Sequence, residues 1–190
     1  MFVGRKKELD ALNSRYTSNR KEFGVLYGRR RIGKSSILNE FLKGKNGILF
    51  QAKQDNSYGN LKSFSYEVDH LLNLPDTFVF ASWQHAFKSI QEYAKNERFV
   101  LVIDEYPYIV SQDSSFSSVL QEFIDHASDN MMVILSGSDI GFLQREIQNH
   151  ASPLYKRRTF EMEIKKMNFM DAKEFVKTED IESQANYLCL

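Results

Sequence analysis

The sequence predicts an α/β fold, a parallel five-stranded sheet flanked by helices, and three observations predict it. Short apolar runs rich in β-branched and aromatic residues alternate with longer segments of helical period. The two middle runs, FVLVI at Phe99–Ile103 and MMVIL at Met131–Leu135, are apolar at every position, as strands buried on both faces are. The first run leads through a glycine-bounded turn straight into a helical pattern, the order that crossover connections require.

The strands are expected at Phe23–Tyr27, Gly47–Ala52, Phe99–Asp104, Met131–Ser136 and Thr159–Ile164. Between the second and third, Leu61, Phe64, Val68, Leu71 and Leu72 recur at helical spacing, and Trp83, Phe87, Ile90 and Ala94 do so again. A surface loop over 73–81, with Pro75, joins these two helices. Phe116, Val119, Leu120, Phe123, Ile124 and Ala127 form the next crossover. The aromatic stripes are core, not a cofactor site. Asn168 with Asp171 reads as a helix start in front of Phe169, Ala172, Phe175 and Val176, and the polar remainder completes no new element. The chain therefore divides into a core over 1–166 and the start of a further helical region over 167–190.

Composition narrows the function classes. The 25 basic and 25 acidic side chains cancel, so no global field draws the chain onto nucleic acid or an anionic membrane. The longest apolar runs have five residues, against the ~20 needed to cross a bilayer. The opening MFVGRKKELDAL turns polar after three residues and forms no secretory signal, so a cytoplasmic location is expected. Cys189 is the lone cysteine, and His70, His85, His126 and His150 have no ligand spacing, so no structural metal is expected.

The chemistry is carried by Gly28-Arg29-Arg30-Arg31-Ile32-Gly33-Lys34-Ser35, which matches GxxxxGK[ST] at every required position between a predicted strand and a predicted helix. In such a loop the backbone N–H groups face phosphate oxygens and the following helix adds the positive end of its dipole. Lys34 would reach the β and γ phosphates of ATP, and the Ser35 hydroxyl would ligate Mg²⁺. Ser36 completes the binding segment but is out of register with the metal position and reads as a helix residue.

The second half of the site is the strand Phe99–Ile103 with Asp104 and Glu105 at its C-terminal edge, where ligands of open α/β sheets sit. Asp104 can hold Mg²⁺ through its water shell, and Glu105 can orient and deprotonate an attacking water. Asp104 follows Lys34 by 70 residues, and that interval holds the strand Gly47–Ala52 and two helices. This implies an extra strand between the loop-bearing and acid-bearing strands, the additional-strand plan of P-loop NTPases, and makes a small-molecule kinase the weaker alternative. The fourth strand ends in Ser136-Gly137-Ser138-Asp139, where either serine, Ser138 being the one carried into the catalytic set, could sense a γ-phosphate beside Glu105. The competing reading is a strand-to-helix turn with Asp139 as its cap.

With both motifs located, the chain resembles the archaeal-type STAND ATPases, a branch of the AAA-like P-loop NTPases. The resemblance covers nearly the whole chain and rests on FVGRKKEL (Phe2 to Leu9), YGRRRIGKSS (Tyr27 to Ser36), FVLVIDEYPYI (Phe99 to Ile109), VILSGSDIGFL (Val133 to Leu143) and SPLYKRRT (Ser152 to Thr159). It implies that Val3, Gly4 and Arg5 contact the adenine, with Glu8 fitting the pattern. It also implies that Arg157 or Arg158 acts on a γ-phosphate, in cis or from a neighbouring subunit, with Lys156 standing where glycine is usual. Members of this family continue through a helical lid and a winged-helix region, of which 167–190 resembles only the beginning, so the chain is read as a fragment or a degenerate copy.

The expected function is Mg²⁺-dependent binding and slow hydrolysis of ATP to ADP by a switch or motor domain, with self-association into a homo-oligomer as an open partner. The alternative is a regulatory module that binds nucleotide without hydrolysing it. The basic clusters Arg29–Arg31, Lys156–Arg158 and Lys165-Lys166 raise nucleic acid as a partner, but the first belongs to the phosphate loop, the second is tied to ATP by the resemblance, and net charge does not support it.

Overall fold

Seen in a computed structural model that describes residues 2, 4–72 and 78–167, the strands are β1 (Glu22–Tyr27), β2 (Gly47–Gln51), β3 (Phe99–Asp104), β4 (Met131–Gly137) and β5 (Phe160–Glu163). The helices are α1 (Lys6–Tyr16), α2 (Lys34–Leu42), α3 (Ser57–Leu72), α4 (Trp83–Tyr93), α5 (Pro107–Gln112), α6 (Phe116–His126) and α7 (Ile140–Gln148). Val3, residues 73–77 of the expected loop, the helix expected after Asn168, and Cys189 lie outside the described residues.

All five strands are parallel, in the order β2-β3-β4-β1-β5. Every residue of β1, β3 and β4 is buried, which is why their sequences show no alternation. The edge strands β2 and β5 do alternate in exposure. Successive side chains of a strand point to opposite faces. Val25, Leu101, Ile103, Val133 and Leu135 thus pack with α3 to α7, while Leu26, Val100, Val102, Met132 and Ile134 pack with Leu12 of α1 and Ile37, Leu38 and Phe41 of α2. The first layer is built on aromatic contacts, among them Phe87 stacked on Phe123 at 4.6 Å and Trp83 edge-on to Phe116 at 4.8 Å. Each large apolar side chain buried in this way contributes about 1.5–3 kcal/mol.

The expected extra strand is present, but it is a different strand from the one that the interval between the motifs suggested. β4 separates loop-bearing β1 from acid-bearing β3, and β2, which lies in that interval, is the sheet edge beyond β3. Residue counting gives what lies between two motifs along the chain, whereas the path of the crossovers decides what lies between them in space. α1 and α5 have no counterpart among the expected elements. α7 begins where the turn after β4 was expected to be capped, and Asp139 Oδ1 does accept the Phe142 N–H at 2.9 Å.

Candidate functional site

Parallel register brings the motifs to one sheet edge. Tyr27 lies opposite Gly137 and Ile103 opposite Leu135, so Gly28, the Asp104-Glu105 pair and Ser138 emerge side by side. Gly28 is required here by close approach: a Cβ at this position would lie 2.3 Å from the backbone oxygen of Ile164, just past β5. The loop then turns left-handed at Arg31 (φ 62°) and Gly33 (φ 89°). Interleaving left-handed residues is how successive N–H groups are gathered into an anion-binding concavity.

α2 opens from this loop with Gly33 as N-cap and no side-chain cap, and its first turn contains no acidic residue. The first N–H groups of a helix need partners, and an anion supplies them. α4 and α7 are capped by Ser82 and Asp139, while α1, α5 and α6 share with α2 the lack of a side-chain cap, so it is the phosphate loop in front of α2 that sets its N-terminus apart. Lys34, at the first position of α2, is buried and folds back so that Nζ donates to the Gly28 and Arg29 carbonyls at 2.9 and 3.1 Å. Burial lowers its pKa from the usual lysine value, Arg30 adds to the depression, and Glu105 and Asp104 oppose it.

Ser35 Oγ donates to Asp104 Oδ2 at 2.5 Å, and the other carboxylate oxygen accepts the Glu105 N–H at 3.0 Å. Asp104 is fully buried. A hydroxyl and a carboxylate meeting at one point are hard oxygen donors, a set that suits Mg²⁺ keeping some of its water and phosphate ligands. Glu105 sits in the left-handed region at φ 52°, a strained conformation for a non-glycine residue of the kind found at functional sites. Its Oε2 accepts from the Ser138 N–H at 3.2 Å and the Ser138 hydroxyl at 3.1 Å. Ser136, one strand residue inward and fully buried, leaves its hydroxyl without a partner among the described residues. Of the two serines, Ser138 is therefore the one beside Glu105, while Asp139 also serves as the helix cap.

Arg5 joins the site from the N-terminus. It is buried, adopts a left-handed φ of 60°, pairs with Glu8 at 2.8 Å and donates to the Ile32 carbonyl of the phosphate loop at 2.9 Å. Gly4 precedes it, also left-handed at φ 71°. Ser36, Arg29 and Arg31 are exposed.

Arg157 and Arg158 do not join this constellation within the chain. The Thr159 N–H donates to the Phe23 carbonyl, which sets both arginines at the opposite end of β1 from Gly28, roughly 17 Å along a strand. Arg157 is bound in a fork to Asp125 at 2.8 and 2.9 Å, and Arg158 pairs with Glu161 at 2.6 Å and donates to the Ile147 carbonyl. The residue missed from sequence is Tyr108 on α5, whose hydroxyl accepts from Arg30 at 2.9 Å. Nothing in the residue order distinguishes it from Tyr106, which is fully buried and bonds Ser117 and Glu146 instead.

A sequence model of an ATPase domain found predominantly in Archaea matches residues 2–187. An uncharacterized protein of Methanocaldococcus jannaschii is 29% identical over 177 residues, 92% of this chain and 38% of that protein. Among solved structures, a Walker-type ATPase of Pyrococcus abyssi superposes with a TM-score of 0.73 at 22% identity, covering 93% of this chain and 57% of the other. The Orc1 protein of Aeropyrum pernix, solved in complex with DNA, superposes with a TM-score of 0.67 at 12% identity, covering 94% and 49%. The chain thus spans between about two-fifths and three-fifths of the length of these proteins, and the structural likenesses show a shared P-loop ATPase fold.

Proposed function

We propose that this chain, which belongs to the ATPase-domain family found predominantly in Archaea, binds ATP at the β1–β3–β4 edge and hydrolyses it as a nucleotide-driven switch or motor domain. One observation carries the reading: an uncapped helix N-terminus, a buried lysine and two adjacent carboxylates meet at the ends of three neighbouring strands. That set of groups matches what phosphoryl transfer to water needs, namely positioning and charge stabilisation.

In this reading the first-turn amides of α2 and Lys34 hold the phosphates, with Lys34 exchanging its loop carbonyls for phosphate oxygens. Ser35 and Asp104 would hold Mg²⁺, which when bound neutralises charge on the β and γ phosphates. Glu105 accepts a proton from water as the water oxygen bonds to the γ-phosphorus. The bond to the β–γ bridging oxygen breaks, that oxygen keeps the electron pair, and ADP and inorganic phosphate leave. Gly4 and Arg5, with Val3, are assigned to the adenine side. Arg158 acts from a neighbouring copy, which makes turnover by dispersed chains slow. Within its family we assign the chain to the archaeal-type STAND branch.

The test is phosphate release from ATP with Mg²⁺ over a range of protein concentrations, in wild type and Glu105→Gln. Release that vanishes in the variant while nucleotide stays bound supports hydrolysis by Glu105, and a rise steeper than linear with protein supports completion by a second copy. Wild-type rates in the variant remove Glu105 as the base. Binding without release in either chain favours the regulatory module.

A further inference from the structure

We infer that Arg30 is a positioning residue that straps the phosphate loop to the Glu105 turn, and that the terminal phosphate of ATP draws the guanidinium off that strap. The inference rests on the ATP reading above and adds to it a means by which the site distinguishes ATP from ADP.

Three consecutive arginines occupy the loop, and among the described residues only Arg30 is anchored by its side chain. Its Nε donates to Ser138 Oγ at 3.4 Å, and a terminal nitrogen donates to Tyr108 Oη at 2.9 Å. The Ser138 hydroxyl in turn donates to Glu105 Oε2, which also accepts the Ser138 N–H. Guanidinium, hydroxyl and carboxylate therefore form one chain of hydrogen bonds polarised toward Glu105, and such chains strengthen one another. Tyr108 lies three residues past Glu105, on the helix that its turn begins, so Arg30 grips that turn from both sides. Both donors to Glu105 Oε2 are groups of Ser138, so the strap acts on the carboxylate through the Ser138 hydroxyl that orients it.

Arg30 bonds Ser138, which bonds Glu105, the Glu105 N–H bonds Asp104, and Asp104 accepts from Ser35 next to Lys34, so the four charged side chains form one connected group. A γ-phosphate entering that group is the strongest anion Arg30 can meet, and a charge-assisted contact to it outcompetes the neutral hydroxyls of Ser138 and Tyr108. ADP lacks that phosphate and leaves the strap in place. The signs of two variants follow from linkage, because a ligand shifts an equilibrium by its differential contacts with the two states. Losing Arg30 removes a contact made with ATP, whereas losing the Tyr108 hydroxyl removes a contact that ATP must break.

The experiment measures ATP and ADP affinity, and kcat, on the 190-residue chain as wild type, Arg30→Ala, Arg30→Lys and Tyr108→Phe. Arg30→Ala is expected to lose about tenfold in ATP affinity and in kcat, with ADP affinity changed by less than about twofold. Arg30→Lys recovers part of the ATP preference through its charge. Tyr108→Phe is expected to tighten ATP by about threefold without affecting ADP, an effect that a merely structural tyrosine would not produce. Equal losses for both nucleotides in Arg30→Ala, or weaker ATP binding in Tyr108→Phe, overturn the inference alone. A wild-type chain that binds neither nucleotide overturns the ATP reading and this inference with it.

Discussion

Ser35 Oγ donates to Asp104 Oδ2 at 2.5 Å, so the first turn of α2 and the tip of β3 are in direct contact across the site. Asp104 is fully buried, and its two oxygens are held by that hydroxyl and by the Glu105 N–H. Truncating Ser35 to Ala leaves a buried carboxylate oxygen short of a donor, which costs about 1–3 kcal/mol. Asp104→Asn keeps the shape and removes the charge. Since the two act through one bond, the double variant should be less destabilised than the sum of the singles by about 0.5 kcal/mol or more. Denaturant unfolding of all four chains measures this, and strict additivity would mean that the contact contributes nothing. Both singles should also lose Mg²⁺-supported ATP hydrolysis.

Lys34→Ala is expected to separate binding from stability. The ammonium is buried against two carbonyls, and burial lowers its pKa from the usual lysine value. A base whose folded pKa is depressed carries a destabilising load that is complete below that pKa and fades as pH rises toward the ordinary value of 10.5. Removing Lys34 lifts this load at neutral pH, so the unfolding midpoint should hold or rise while ATP affinity falls by about a hundredfold or more. A variant that binds ATP normally, followed by calorimetric titration, would remove Lys34 from the site.

Much of this site was legible because its parts are consecutive in the chain. Gly28 to Ser35 and Phe99 to Glu105 each carry their own local signature, and burial on both faces marked β3 and β4 to within a residue of their ends. Relations between segments were less legible. Which of three adjacent arginines turns toward β4 depends on the loop's left-handed residues, so composition could not single out Arg30 or its partner Tyr108. The position of Arg157 and Arg158 is fixed by the register of β5 on β1, a tertiary pairing with no trace in the local sequence. The strand inserted between β1 and β3 was misattributed for the same reason.

The fork between Arg157 and Asp125 gives a pH dependence with a definite sign. The Arg157 hydrogen bonds hold the Asp125 carboxyl below its ordinary pKa of 3.8. A carboxylate depressed in the folded state stabilises above the unfolded value and loses that contribution as pH falls through the folded one. The wild-type chain should therefore melt higher than Asp125→Asn at pH 7, and the gap should close on acidification below about pH 4. Melting curves from pH 7 to 2.5 measure the gap. A gap constant across that range would place the benefit of Asp125 in packing and not in its charge.

Lys156 adopts φ 56°, the left-handed conformation that glycine takes freely, and it does so in the turn between Tyr155 and the arginine pair. A side chain there costs roughly 1–2 kcal/mol, and the exposed ammonium recovers part of it by lying 5.2 Å from the Tyr155 ring centroid, a contact worth about 0.5–1 kcal/mol at exposed sites. Glycine gives up that contact and about 0.5–1 kcal/mol of chain entropy, so the opposing effects cancel. Lys156→Gly should leave the melting temperature within about 2 °C of wild type. Alanine keeps the strain and loses the ring contact, so Lys156→Ala should melt lower than both. If Lys156→Gly melts lowest of the three, the backbone strain is negligible and the Tyr155 contact dominates the turn.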